Sequence, residues 1–251
     1  MSQNSTYQPS VYVYEGAMRL WHWVTALAII VLALTGYLIG TPPPSVPGEA
    51  SANFLFGYIR FTHFAAAYIL IVAFIGRLYW VAAGNWHARE IFFPLFLVKQ
   101  WWGEVFHTVR WYLFLEKEPK KYIGHNPFTT IVMHFLFVWV VTFMILSGLA
   151  LYGEGAGQAS WQYRFFSSWF IPLIGNSQEV HTYHHLGMWV FVVFAMVHVY
   201  AVFREDIMSR QSIIGTMISG WRTFKDTRLP DDQHREDKGS KGFGSRGFRR
   251  K

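Results

Sequence analysis

Four histidines lie in one apolar stretch late in the chain, and their spacing is suited to holding metal ions. They are His181, His184, His185 and His198, and no residue from 180 to 203 carries a formal charge. At ~100° per residue, His184 and His198 differ by only ~40° around a helix axis and lie about 21 Å apart along it. His181 and His185 fall on other faces. A lone histidine more often only hydrogen-bonds a neighbouring helix, so the spaced pair is the informative feature.

The composition is typical of a polytopic membrane protein. Of the 251 residues, 52% are hydrophobic, 19% are aromatic and only 15% are charged, with a mean hydropathy of +0.19. A water-soluble core this apolar would be unusual. Because the chain contains no cysteine, disulfides, thiolate-held iron–sulfur clusters and covalent attachment of haem are excluded. Any haem must therefore be held non-covalently.

Four apolar stretches are long enough to cross a bilayer as helices. We predict spans at about 20–40, 58–84, 127–153 and 180–203, each near the ~20 residues that a ~30 Å hydrocarbon layer requires. The segment 85–126 is aromatic and mixed in charge, and we predict interfacial structure over residues 90–117, with its tryptophans and tyrosines at headgroup level. The predicted fold class is all-α: an integral membrane four-helix bundle with interfacial helices in the loops.

Lysine and arginine predict the orientation of these spans. They are frequent in the segment 85–126 and from Arg204 onward, whereas the loops 41–57 and 154–180 together hold only Arg164. By the positive-inside rule, both termini and the 85–126 segment are cytoplasmic. The first loop and the last loop are then periplasmic.

The chain ends in a basic tail. Ten of the 22 lysines and arginines lie between Arg222 and Lys251, against five acidic residues. This composition predicts a solvated, disordered cytoplasmic segment over residues 226–251, following a membrane domain of residues 1–225. A basic tail after a last span usually marks the cytoplasmic side, so we expect no nucleic-acid binding.

Two further histidines can be assigned a depth in the bilayer from this predicted topology. His22 is near the cytoplasmic start of the first span, and His63 is near the periplasmic start of the second. Counting 14 residues on from each reaches Gly36 and Arg77, which lie at the other depth on nearly the same helical faces. Gly36 therefore lies beside the histidines at the periplasmic depth, and Arg77 lies beside those at the cytoplasmic depth.

Each depth then contains two imidazoles from different helices, as six-coordinate haem iron requires. The periplasmic pair is His63 and His184, and the cytoplasmic pair is His22 and His198. The glycine would let a macrocycle lie against the backbone. The arginine could pair with haem propionates, with snorkelling to the interface as the alternative. Zinc is less suited, because structural zinc needs four ligands in one cluster.

The remaining histidines are predicted to have structural roles. His134 has no partner at its depth and is predicted to be packed and hydrogen-bonded. His125 precedes a predicted helix start made by Asn126 and Pro127, with contact to a cofactor or quinone as the alternative. Three others are predicted to be ordinary interfacial or solvent histidines: His87, His107 and His234. Solvated helix ends are predicted for four charged residues, which could instead bind quinone or deliver protons: Arg19, Arg204, Glu205 and Asp206.

Two long stretches resemble the cytochrome b subunit of membrane-bound nickel–iron hydrogenases, a family related to the membrane subunits of some formate dehydrogenases. They are residues 19–36, RLWHWVTALAIIVLALTG, and residues 181–198, HTYHHLGMWVFVVFAMVH. The sequence GHNP at 124–127 and the chain length also fit, so the resemblance extends to about residue 225.

The resemblance implies a four-helix anchor with two haem b groups, whose axial ligands match His22, His63, His184 and His198. Gly36 and Arg77 would be further cofactor contacts. The implied partners are the small iron–sulfur and large nickel–iron subunits of a periplasmic hydrogenase, the lipid bilayer, and membrane quinone as the electron acceptor. The chain would be an electron-transfer subunit without catalytic residues, and not an enzyme on its own. Its implied location is the bacterial inner membrane.

Other functions stay open at this point. The membrane subunit of a formate dehydrogenase or another respiratory reductase would carry the same haem ligands. A transporter or proton channel would also use intramembrane histidines, but such proteins commonly have acidic residues at mid-membrane, and the first, third and fourth predicted spans contain no Asp or Glu. A haem-free anchor would need only the aromatic loops.

Overall fold

The computed structural model describes residues 10–44, 47–49 and 53–225, so the predicted tail over 226–251 and His234 lie outside the described residues. Three long helices are α1 (Gly16–Gly40), α2 (Leu55–Ala83) and α7 (Ser177–Met208). The remaining span is built from α4 (Pro127–His134), a π-helical stretch (Phe135–Val140) and α5 (Val141–Ala156). The shorter helices are α3 (Lys99–Tyr112), α6 (Ser168–Ile174) and α8 (Ile213–Ser219).

Four helical stretches are long and apolar enough to cross a membrane, with mean hydropathies of 1.9 to 2.2. Three of them begin a few residues before the predicted bounds, at Gly16, Leu55 and Ser177. Only 11% to 28% of their most apolar windows is buried within the protein. Apolar side chains that remain exposed along membrane helices are accommodated by lipid, so the predicted all-α membrane fold is confirmed. The orientation of the termini stays a prediction.

The start of α4 has the local structure that the sequence predicts. The side chain of Asn126 accepts a hydrogen bond from the backbone N–H of Thr129 at 2.7 Å, and Pro127 occupies the first turn. Both features satisfy or avoid backbone donors that a helix start leaves unpaired. At the end of this helix, Nδ1 of His134 lies 2.9 Å from the carbonyl oxygen of Ile91. The prediction of a packed, hydrogen-bonded His134 is therefore confirmed.

Contacts divide the chain into two compact units. The bundle unit comprises Trp21–Arg77 and Leu136–Val197, and contains most of each span. Its helices meet through aromatic edges, such as Phe64 against Tyr152 with ring centroids 4.7 Å apart. A β-carbon at Gly187 would collide with the side chain of Met144, so glycine lets α5 and α7 approach closely. Such close approach favours tight helix packing in a lipid environment.

The mixed unit comprises residues 10–20, 78–135 and 198–225 of the described chain. In it, β1 (Ser10–Tyr12) pairs antiparallel with β2 (Trp221–Thr223). A small core forms beneath this two-stranded sheet from Val13, Tyr14, Met18, Ala88 and Ile123. The sequence analysis predicts no strand at either position.

A buried carboxylate organises the polar core of the mixed unit. Oε1 of Glu90 lies 2.6 Å from Nδ1 of His87, while its Oε2 accepts the backbone N–H of His125 at 3.0 Å. Burial by itself would raise the pKa of the Glu90 carboxyl. The attraction of His87, together with hydrogen bonds from His125 and His87, outweighs burial and holds that pKa below its usual value. His87 is only 5% exposed, so its prediction as an ordinary interfacial or solvent histidine is wrong.

The C-terminal end of helix α3 packs against Arg204 of α7. Arg204 donates hydrogen bonds to the carbonyl oxygens of Trp111 and Tyr112 at 2.8 and 3.0 Å, and its guanidinium lies 4.4 Å from the Trp111 ring centroid. The predicted solvated helix end is therefore wrong for Arg204. Trp101 and Trp111 of α3 are 2% and 3% exposed, so their rings pack against protein. Their location at headgroup level stays a prediction.

Candidate functional site

A cavity of about 910 Å³ lies within the bundle unit and is lined by residues from all four spans. His63 of α2 and His184 of α7 both line it, as does Gly36 of α1. Its volume lies in the roughly 300–1,000 Å³ range of small-molecule and cofactor sites. The structure therefore brings the predicted periplasmic pair and its glycine to one cavity.

The hydrogen bond of His63 fixes which ring nitrogen can bind a metal. Its Nδ1 lies 2.9 Å from Oγ1 of Thr35. The Thr35 hydroxyl donates its hydrogen to the carbonyl oxygen of Val31 at 2.6 Å. Because a hydroxyl has one hydrogen and a carbonyl can only accept, Thr35 must accept from the Nδ1–H of His63. Nε2 of His63 then carries the lone pair that a metal ion needs.

His184 is held in the same way from a different helix. Its Nδ1 lies 2.7 Å from Oγ of Ser147, and that hydroxyl donates to the carbonyl oxygen of Phe143 at 2.7 Å. The same reasoning makes Nδ1 the protonated nitrogen and leaves Nε2 as the ligand atom. A hydrogen bond from Nδ1–H to an acceptor on the protein is the usual way in which proteins orient a metal-binding imidazole.

A glycine follows each of these hydroxyl residues and makes room for the imidazole. A β-carbon at Gly36 would lie 3.3 Å from Cε1 of His63, and one at Gly148 would lie 3.2 Å from Cε1 of His184. Both distances are tighter than ordinary contacts, so each ring lies directly against a helix backbone. The sequence analysis did not find Thr35, Ser147 or Gly148. The available signal was the repeated hydroxyl–glycine pair inside two apolar spans.

The cavity fits a flat, apolar group whose iron lies between two imidazoles. Two Nε2 lone pairs come from different helices, and most of the wall is apolar, including Leu32, Ile71 and Met144. Among the described residues, no group of three or more His, Cys, Asp or Glu could hold a metal ion by itself. Two axial nitrogens completed by a macrocycle therefore suit the site better than a structural zinc ion.

The neighbouring histidines of α7 have other contacts. Nε2 of His185 accepts a hydrogen bond from Nε1 of Trp189 at 3.1 Å, which occupies the lone pair that iron would need. Nδ1 of His181 lies 2.9 Å from the carbonyl oxygen of Ser177, and its side chain is exposed. Both histidines line the cavity, but His184 is the one whose hydrogen bonding is suited to an axial ligand.

The predicted cytoplasmic pair is distributed over both units. In the bundle unit, Arg77 is 1% exposed and its guanidinium lies 5.2 Å from the ring centroid of Trp21. This side chain is enclosed by protein, which does not favour snorkelling. His22, in the same unit, lies edge-on to Trp23 with centroids 5.0 Å apart. His198 is half-buried in the mixed unit. The pairing of His22 with His198 stays a prediction from the sequence.

The hydroxyl of Thr35 should contribute to haem affinity through His63. We expect Thr35→Val, which keeps the side-chain shape but removes the acceptor, to weaken haem binding by about 10- to 100-fold at this site. Thr35→Ser keeps the hydroxyl and should stay close to the wild type. The rate of haem transfer from the purified protein to excess apomyoglobin measures this difference. Equal rates for the valine and serine variants would contradict the assigned role.

Comparisons with known proteins find related sequences over most of this chain. The family model described as prokaryotic cytochrome b561 matches residues 13–220. A protein of Azotobacter chroococcum mcd 1 is 61% identical over 224 residues, covering 89% of this chain and 92% of its own length. A protein of Cupriavidus necator is 59% identical over 217 residues, covering 86% and 88%. Both are named "probable Ni/Fe-hydrogenase B-type cytochrome subunit".

A relative of lower identity matches a similar length of this chain. A protein of Escherichia coli K12, named "probable Ni/Fe-hydrogenase 1 B-type cytochrome subunit", is 44% identical over 226 residues, covering 90% of this chain and 96% of its own length. The range matched by the family model, residues 13–220, includes the cavity-lining residues and the positions of all four candidate ligands.

Proposed function

The chain belongs to the prokaryotic cytochrome b561 family, and from that membership we propose that it is the di-haem b membrane anchor of an uptake nickel–iron hydrogenase. It is a hydrogenase-associated b-type cytochrome subunit, and so a multi-pass membrane protein of electron transfer. In the proposed role it accepts electrons from the iron–sulfur chain of a periplasmic small subunit and passes them to membrane quinone. The nickel–iron chemistry belongs to the large subunit.

One observation carries this proposal: His63 and His184 line one cavity, each with Nδ1 bonded to a hydroxyl of another helix. A haem b bound there supplies reversible one-electron transfer at its iron. The protein holds both imidazoles in a fixed tautomer and direction, so little rearrangement accompanies a change in iron charge. Apolar walls keep water away from the group.

The second haem is proposed to lie between His22 and His198, with Arg77 nearby. The support is their common depth in the predicted spans and the enclosed position of the Arg77 guanidinium. A cation beside that haem would favour its reduced form, because reduction adds negative charge. Quinone is proposed to be reduced on this cytoplasmic side.

The partner subunit is proposed to dock on the periplasmic loop between the third and fourth spans. The sequence suggests a surface of Trp161, Tyr163, Trp169 and Phe170 there. Trp161 and Trp169 are exposed, together with Phe165 and Leu173, whereas Phe170 is buried. Aromatic residues are enriched at protein interfaces, and the predicted bilayer would cover only those that point into it. The proposed location is the bacterial inner membrane, with both termini in the cytoplasm.

The haem count tests the proposal directly. Pyridine haemochrome analysis of the purified subunit should give about two haems b per chain, with low-spin spectra. A well-folded preparation with almost no haem would refute it and favour a haem-free anchor or a channel. A single haem would refute one of the two histidine pairs. Identification of the co-purifying subunits separates a hydrogenase from a formate dehydrogenase, which spectra cannot distinguish.

A further inference from the structure

The two ends of the bundle cavity differ in polarity. One end is formed where α1 and α5 finish and where α2 and α7 begin, and it carries the polar lining residues: Thr41, Arg60, Gln178, His181, Thr182 and His185. The other end lies deeper in the spans and is lined by apolar side chains: Ile29, Leu70, Val141 and Phe191. Along α1, α2 and α7 the polar residues lie at the first end and the apolar residues at the second, whereas α5 contributes only Val141 to these two sets.

Arg60 is the charged group of the polar end. Of the described residues that line the cavity, it alone has a permanent charge, and no Asp or Glu is among them. It precedes His63 by three residues, so both lie on one face of α2, about 4.5 Å apart along the axis. Its guanidinium lies 5.7 Å from the ring centroid of Phe64, which also lines the cavity. In the described part of the chain, no carboxylate forms an ion pair with Arg60.

We propose that Arg60 binds the propionates of the haem held by His63 and His184, and so fixes which edge of that haem points out of the cavity. This inference rests on the proposed function. A haem b has one edge with two carboxylates and an opposite edge that is apolar. Carboxylates placed at the deep end would lose water without gaining a partner, which is costly. At the polar end they meet a guanidinium, whose planar donors match a carboxylate, and the amide donor of Gln178.

Arg60 could instead be a cation that only anchors α2 at the membrane surface, and this alternative role predicts a different result. An arginine beside the haem stabilises the reduced form, because reduction adds negative charge to the group. An arginine at a distance, in contact with water and headgroups, would be screened. The midpoint potential of one haem therefore distinguishes the two roles.

The test is a redox titration of the purified protein with Arg60→Gln and Arg60→Lys. We expect Arg60→Gln to lower the midpoint potential of one haem component and to leave the other unchanged. Arg60→Lys should restore most of the shift. The affected component should be the one that is absent from a His184→Ala variant. Arg164→Gln removes another exposed arginine of the same unit, outside the cavity lining, and should shift neither component.

Reconstitution with haem dimethyl ester completes the test. Esterification removes the carboxylates, so Arg60→Gln should accelerate the release of haem b but not the release of its dimethyl ester. Unchanged potentials in Arg60→Gln, or an equal effect of this substitution on the release of haem and of its ester, would overturn the inference while the wild-type low-spin spectra still support the proposed function. A wild-type protein without bis-imidazole haem would instead overturn the proposed function.

Discussion

Replacing His184 with alanine is expected to lower the haem content from about two to about one per chain. Alanine leaves His63 as the remaining axial ligand in the cavity, so the iron there loses its six-coordinate low-spin state. Part of the helix face opposite Ser147 also becomes empty, and the binding energy of one strong axial bond is lost. Pyridine haemochrome analysis gives the content, and the low-spin signals in electron paramagnetic resonance show which component is missing.

The matched control is His185→Ala, one residue along the same helix. Nε2 of His185 accepts a hydrogen bond from Nε1–H of Trp189, which occupies its lone pair, so this variant should keep both low-spin signals. His63→Ala should reproduce the loss seen with His184→Ala, because both residues line the same cavity. If His185→Ala removed a low-spin signal and His184→Ala left both intact, the assignment of the axial ligand would be wrong.

The four spans could be predicted from the sequence because their signal is local. An uncharged run of about 20 residues is sufficient to define a membrane helix, and the observed bounds extend the predicted ones by only a few residues at most ends. Helical phase and depth likewise grouped His63, His184 and Gly36, which the structure brings to one cavity. Phase and depth were enough for this grouping because helices in a bilayer run nearly parallel to one another.

The contacts that orient the ligands could not be predicted in the same way. A helical wheel shows that Thr35 and Ser147 share a face with their glycines, but it does not show which neighbouring helix that face meets. The pairing of Thr35 with His63 joins residues 28 apart, and that of Ser147 with His184 joins residues 37 apart. These contacts depend on the rotation of each helix within the bundle, which packing sets.

The errors in the mixed unit have a related cause. His87 is predicted to be an ordinary interfacial or solvent histidine, but it is buried against Glu90, whose other carboxylate oxygen lies 3.1 Å from Nδ1 of His125, 35 residues along the chain. The two strands pair Ser10 with Thr223, at opposite ends of the chain. The contact of Glu90 with His125 and the pairing of the two strands have no local sequence signal, because each depends on segments that only the folded chain brings together.

Hydrogen-driven quinone reduction by the complete complex is expected to build a membrane potential, positive on the periplasmic side. Hydrogen oxidation by the proposed partner releases two protons and two electrons outside the membrane. If quinone is reduced near His22 and His198, its two protons come from the cytoplasm. Electrons alone then cross the span between the two haem sites, and no proton channel is needed. Sealed vesicles of known orientation, with a potential-sensitive dye, provide the measurement.

The sign of this potential depends on which side each histidine pair occupies. The assignment rests on the positive-inside rule, which places His63 and His184 towards the periplasm because the loops 41–57 and 154–180 hold a single arginine between them. About 14 residues of helix, or roughly 21 Å, separate the two depths, so most of the hydrocarbon layer lies between electron entry and quinone. Dissipating the potential with an ionophore should accelerate turnover. Rapid quinone reduction without any potential would place the quinone site on the periplasmic side, and would refute this mechanism even in a protein that holds both haems.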